Sequence, residues 1–449
     1  MEIETGDPRA AFLRAAVAPL HAHASGTVDE ANAILAAHPE IATTSIHAAA
    51  VLGDDATVRR FLADDPAGAT AKGGPYGWDA LTHLCFSRHL RLDPARSDGF
   101  VRAAEALLDA GASAGTGFHS GDRPPVFESA LYGAAGVAHH PELTRLLLAR
   151  GADPNDEETP YHAPEGYENR ALTVLVESGK LTADSLATIL VRKSDWHDAG
   201  AIPWLLERGA DPNRMTRWGR TSLQHAVLRD NVPAIVEAML DHGGDPTLAA
   251  AEGWSAAAMA ARRGRGDLLA LFDARGIPAA LDGADRLIAA CARDDEATVR
   301  AIAEREPPLV RVLLAHGGWL LAHFAGNGNT GGVRRLLELG VDVAAPFAEG
   351  DGYFGVARNS TALHVAAWRA RHDVVRLLVE RGAPVDARDG DGRTPLALAV
   401  KACVDSYWTR LRAPDSVRAL LDAGASARGV PYPCGYAEAD DLLRRHGAG

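Results

Sequence analysis

Leucine-rich runs that stop at a glycine recur along most of this chain. They read LLDAGAS at 107–113, LLLARGADPN at 146–155, LLERGADPN at 205–213, LLELGVDV at 336–343, LLVERGAPVD at 377–386 and LLDAGAS at 420–426. Each run predicts the end of a short helix whose paired leucines are buried against a neighbour. The glycine then stops the helix where a positive φ is needed. The landmarks are Gly111, Gly151, Gly209, Gly243, Gly276, Gly340, Gly382 and Gly424, with Gly209, Gly243 and Gly276 spaced by 34 and 33 residues.

The segment 391–400, DGRTPLALAV, predicts how the preceding helix of each pair begins. Thr394 is placed to cap it, Pro395 suits its first position, and Leu396, Leu398 and Ala399 face the stack. Residues 361–367 read TALHVAA in the same frame. A period near 33 residues, with T-P-L-H before one helix and Gly-Ala after the next, resembles the ankyrin-repeat family. The resemblance covers about nine-tenths of the chain and is most specific at 359–386 and 391–400. It implies an all-α solenoid of about eleven helix-turn-helix units with long finger loops. The units are read at 45–66, 78–113, 129–155, 170–192, 196–213, 219–246, 253–278, 284–307, 319–343, 361–386 and 394–426. Residues 1–44 form an N-terminal helical cap, 45–427 the array, and 428–449 a closing segment. Fingers and first helices in this family line a concave groove, so the resemblance also implies a binding scaffold.

The departures from the period carry the functional expectations. Fingers are enlarged at 116–127, which holds Phe118, His119, Asp122 and Arg123, and at 345–359, which holds Tyr353, Phe354 and Arg358. Excess length lies between helices at 89–98 and 405–414. The interval from Gly151 to Gly209 is too long for one repeat and short for two. It begins with a finger at 156–169 containing Tyr161, His162, Glu165 and Tyr167, and later gives Asp195–Trp196–His197–Asp198. Aromatics on loops of a rigid scaffold read as a contact surface. The expected binding residues are Tyr76, Trp78, Phe118, His119, Tyr161, Tyr167, Trp196, Trp218, Tyr353, Phe354 and Arg358, with Trp368 and Arg369 on a first helix. The alternative is an enzyme or small-molecule receptor in the irregular middle, 156–213. There His197, Asp198, His162 and Glu165 would do acid–base work, and the finger would fold back beside 196–198. The plain reading of the same tetrad is a helix start capped by Asp195.

Composition narrows the partners. The chain has 449 residues, a net charge of −13, 47% apolar and 23% charged residues. The acidic balance excludes nucleic acid and an anionic membrane as main partners and favours a neutral or basic protein or peptide. No run reaches the roughly 20 apolar residues of a membrane span. Glu2, Glu4 and Asp7 do not make a secretory signal. Cys85, Cys291, Cys403 and Cys434 lack metal-ligand spacing and read as reduced thiols, hence a reducing, cytoplasmic compartment. The chain is further expected to be a monomer without metal or cofactor. His47 and His364 fill the scaffold slot of T-P-L-H. His83, His225 and His323 fall one position later, toward the groove, in separate repeats. Arg far outnumbers Lys, which reads as coding bias of a GC-rich bacterial genome.

Overall fold

The computed structural model describes residues 7–18, 23, 25–121, 124–277 and 281–447. Asp122, Arg123, the first six residues and Pro278 lie outside that set. The chain divides into two compact units, Met1–Ala226 with Ala238–Gly244, and Val227–Glu237 with Asp245–Gly449. Both are built from helix pairs. First helices stack on first helices: Ile46–Val51 on Ala80–Cys85 in one unit, and Gly317–Asn327 on Ala362–Trp368 on Pro395–Asp405 in the other. Second helices stack likewise, Asp55–Asp64 on Ser97–Asp109 and His372–Glu380 on Asp415–Asp422. Each pair therefore buries its faces only through its neighbours.

The start of a pair is set by capping. Ser45, Asp79, Ser129, Ser255 and Thr394 each accept a backbone N–H near the start of a first helix. Thr361 and His364 form a reciprocal capping box, and His364 Nε2 reaches the carbonyls of Ala387 and Arg393 at 3.0 and 3.1 Å. His47 reaches the Ala71 carbonyl in the same way. These two histidines tie one repeat to the next finger. The end of a pair is set by the landmark glycines, all eight of which have positive φ.

Between the helices of a pair the chain turns through a left-handed residue. Gly53, His139, His197, Asp230, Gly264, Asp294, Gly328 and Ala370 occupy that position, with φ between 50° and 71° or, at Gly328, 75°. The following residue often caps the second helix: Asp54 takes the Thr57 N–H, His140 that of Leu143, Asp295 that of Thr298 and Asn329 that of Gly332. Two fingers close at their bases as short hairpins, Gly117–His119 with Phe127–Ser129 and Pro346–Phe347 with Ser360–Thr361.

The middle segment differs from the sequence expectation. Residues 156–169 are not a finger alone but contain the first helix Glu158–His162. Asp156 starts it by accepting the Thr159 N–H at 2.7 Å. The next helix, Arg170–Glu177, packs on the second helix Pro141–Ala149, so it is a second helix and not a first one. Ala183–Asp195 and Ala201–Glu207 make the following pair. The boundaries 170–192 and 196–213 are thus shifted by one helix. Asp195 ends a helix, His197 is the left-handed turn residue, and Asp198 is the cap, taking the Ala201 N–H at 2.9 Å. Among the described residues no single helix is long and apolar enough to cross a membrane.

Candidate functional site

In the second unit the finger 345–359, the first helix Ala362–Trp368 and the insertion 405–412 bring their aromatic residues together. Trp368 Nε1 donates to the Phe354 carbonyl at 2.6 Å, which fixes the finger on the helix. The Phe354 and Trp408 rings stack at 6.4 Å, and Trp408 meets Trp368 edge-on at 6.1 Å. Tyr407 packs edge-on against Trp408 at 6.3 Å yet is 87% exposed. Cations cover the rings: Arg369 lies 4.2 Å from Phe354 and 5.1 Å from Trp408, Lys401 5.1 Å from Trp368, and Arg229 3.9 Å from Tyr353. The exposed Tyr407 ring thus sits beside the half-buried Trp408, which packs on the buried Phe354, Trp368 and Arg369.

An ion cluster lies under this surface. Asp230 accepts both Nε and Nη2 of Arg263, at 2.8 and 2.9 Å, and Nη1 of Arg369 at 2.8 Å. Asn327 adds a donor at 3.1 Å. Asp230, Arg263 and Arg369 are all buried. Burial alone would raise the Asp230 pKa, but Arg263 and Arg369 hold it far below the usual carboxylate range.

The first unit has a second cluster around 158–198. His162 is gripped by Glu158 at 3.1 Å and Glu165 at 3.0 Å, and Arg192 bridges Glu165 to Asp195 at 2.9 and 2.5 Å. Asp195 lies 2.8 Å from His225 Nε2. Arg192 also lies 4.1 Å from the centre of the Tyr161 ring, which faces Trp218 at 5.9 Å. Lys193, fully buried, donates to the Gly166 carbonyl at 2.9 Å and to Asp198 at 3.2 Å. Tyr167 hydroxyl donates to the Trp196 carbonyl at 2.9 Å, so this loop does lie against 196–198. The letters T-P-Y-H at 159–162 could have revealed the first helix here.

These placements change several expectations. Trp78 and Phe118 stack at 4.2 Å and belong to the core of the first unit, with Tyr76 stacked half-buried on Trp78. Phe354, Trp368 and Arg369 are also buried, as foundations of a surface and not as its contact atoms. His119, Tyr167 and Arg358 are exposed, while Tyr161, Trp196, Trp218 and Tyr353 are half-buried. His83, His225 and His323 are buried instead of facing a groove. Of the acid–base quartet, His197 and Asp198 form the interhelical turn, and both His162 nitrogens face carboxylates. Length alone marks 405–414 in the sequence, with no pattern there that singles out Tyr407 and Trp408, and no local pattern marks Asp230.

Burial lowers the His162 pKa, but Glu158 and Glu165 outweigh it and raise it to about 9. A histidine raised in the folded state stabilises fully below its unfolded pKa near 6.5 and loses that contribution as pH rises through about 9. The difference in stability between the protein and His162→Gln is therefore expected to shrink between about pH 6.5 and 9, by at most about 3 kcal/mol before solvent screening. Thermal unfolding across that range checks it; a pH-independent difference would count against the charged pair.

A family model described as ankyrin repeats (3 copies) matches residues 348–428. The chain is 39% identical over 84 residues to serine/threonine-protein kinase 12 of Arabidopsis thaliana, covering 19% of this chain and 16% of that one. It is 32% identical over 130 residues to palmitoyltransferase Hip14 of Drosophila melanogaster, covering 28% and 17%. The chain thus spans under a fifth of the length of either relative. Among solved structures, the human ASB11 ankyrin repeat domain aligns with 58% of this chain and 98% of its own, at 18% identity and a TM-score of 0.26.

Proposed function

Because this chain is an ankyrin-repeat protein, with its repeats matched at 348–428, we propose that it is a binding scaffold. Its second unit captures a protein or peptide partner on the face made by the finger 345–359, Ala362–Trp368 and the insertion 405–412. Ankyrin repeats are in general protein–protein interaction modules, which supports the class of function. The observation that carries the location is Tyr407, 87% exposed while braced on Trp408. A ring of that size left in water beside the half-buried Trp408 gains by burying apolar area on contact. Tyr167, 69% exposed in the first unit, is held to the Trp196 carbonyl and offers a smaller platform of the same kind.

A photo-crosslinking residue at position 407, introduced in the source cell, is expected to capture one dominant protein. The same residue at Arg381, on the turn after the second helix His372–Glu380, should not capture it. Equal yield of that protein at both positions, or capture at neither, would remove the assignment.

A further inference from the structure

Two positions in the second unit depart from the capping pattern of the interhelical turn. After the left-handed residue, Asp54, His140, Asp198, Asp295 and Asn329 each cap a second helix. At 265 and 371 that place is held by arginine, and neither Gly266–Ala274 nor His372–Glu380 has a side-chain cap. Giving up the cap leaves backbone N–H groups unmet, and a cation at a helix N-terminus opposes the helix dipole.

The two arginines join an ionic group in which Asp230, Asp267 and, at longer range, Asp351 face the guanidiniums of Arg263, Arg265, Arg369, Arg371 and Arg410. Asp230 is shared by Arg263 and Arg369, and Asp267, half in solvent, takes Arg265. Arg371 donates Nε to the Gly326 carbonyl at 2.8 Å. Burial, and then Arg369, Arg265 and Arg410, press its pKa down to about 10 against the pull of Asp230. Arg265 is 5% exposed and Arg369 3%, and Arg265 Nη1 and Arg369 Nε are buried without a hydrogen-bond partner. Arg410, exposed, sits on the insertion three residues after Tyr407. The negative charge that suggested a basic partner lies elsewhere: the first unit has 20 basic and 31 acidic residues, the second 26 and 28.

We propose that the partner presents an acidic segment to the second unit, its carboxylates meeting Arg371 and Arg410 beside Tyr407. This rests on the binding-surface reading above and names the partner's chemistry. Arginine forks match carboxylates, and Arg371 is already held at the Gly326 carbonyl, so the partner's charge need not order that side chain. A peptide with an aromatic or apolar residue beside two or more acidic ones fits both parts of the surface.

The test is calorimetric titration of the full chain with a ten-residue glutamate peptide and a ten-residue lysine peptide at matched ionic strength. The glutamate peptide is expected to bind and the lysine peptide not to bind at this face. Arg371→Gln with Arg410→Gln should weaken glutamate binding by about tenfold or more. Arg410→Gln alone, an exposed change that leaves the fold intact, should weaken it by a smaller factor. Absence of glutamate binding, or binding unchanged in both variants, overturns the proposal. Lysine binding that is lost in Tyr407→Ala overturns the acidic partner while the binding surface stands. If photo-crosslinking at 407 also fails, the surface itself falls.

Discussion

Replacing Asp230 with Asn is expected to lower the stability of the second unit by about 3–5 kcal/mol. Asn tolerates the left-handed φ of 54° found at this turn, so the backbone is little disturbed. What is lost is the charge that satisfies two buried guanidiniums, Arg263 and Arg369, at 2.8 Å each. An unpaired buried cation is far more costly than a pair is favourable, which is why breaking one partner has so large an effect. The loss has a pH signature. Asp230 titrates well below its unfolded value, so its contribution is full above about pH 4 and fades as pH falls further. Wild type and Asp230→Asn should therefore differ at pH 7 and converge in acid. Chemical denaturation followed through hydrogen exchange of Ala362–Trp368 measures this locally. A difference below about 1 kcal/mol at neutral pH would mean that the arginines are satisfied by other groups.

Lys193→Met should cost the first unit about 2–4 kcal/mol, although methionine fills nearly the same volume. Lys193 is fully buried, and its ammonium joins the Gly166 carbonyl to Asp198. Burial presses the lysine pKa down, and Asp198 draws it back up. Burial likewise opposes ionisation of Asp198, but Asn169, the Ala201 N–H and Lys193 hold its pKa below the usual range. Without the ammonium, Asp198 keeps its cap but is left a poorly compensated charge. The loop carrying Tyr167 also loses its tie at Gly166. Faster amide exchange at 163–169, together with partial rescue by adding Asp198→Asn, is the expected pattern. No rescue by that second change would show that Lys193 acts through packing alone.

The repeat frame was legible because its chemistry is local. A glycine that must take positive φ, a paired leucine before it and a capping residue before the next helix are all visible in the letters, and at 361–424 they place the helices well. The frame failed at 156–209 for a physical reason. There the helix Glu158–His162 is only five residues long, and Asp156 caps it from outside the T-P-Y-H letters. The longer run Arg170–Glu177 then imitated a first helix. The site was less legible than the fold. Loop aromatics could be found by type, but burial sorts them. Trp78 and Phe118 stack inside the first unit, while Tyr407 stays outside on an insertion that composition alone did not single out. Asp230 and its arginines lie 33 to 139 residues apart in sequence. Pairings of that kind are fixed only by the stacking of turns, so no local pattern announces them.

In the proposed function the second unit meets its partner through the finger 345–359 and the insertion 405–412. Hydrogen exchange of the full chain, alone and with the protein captured at position 407, reads out this contact. Protection is expected at 351–358 and 404–412, with the second helices His372–Glu380 and Asp415–Asp422 unchanged. Protection on those second helices, with the finger and insertion exchanging as in the free chain, would contradict it.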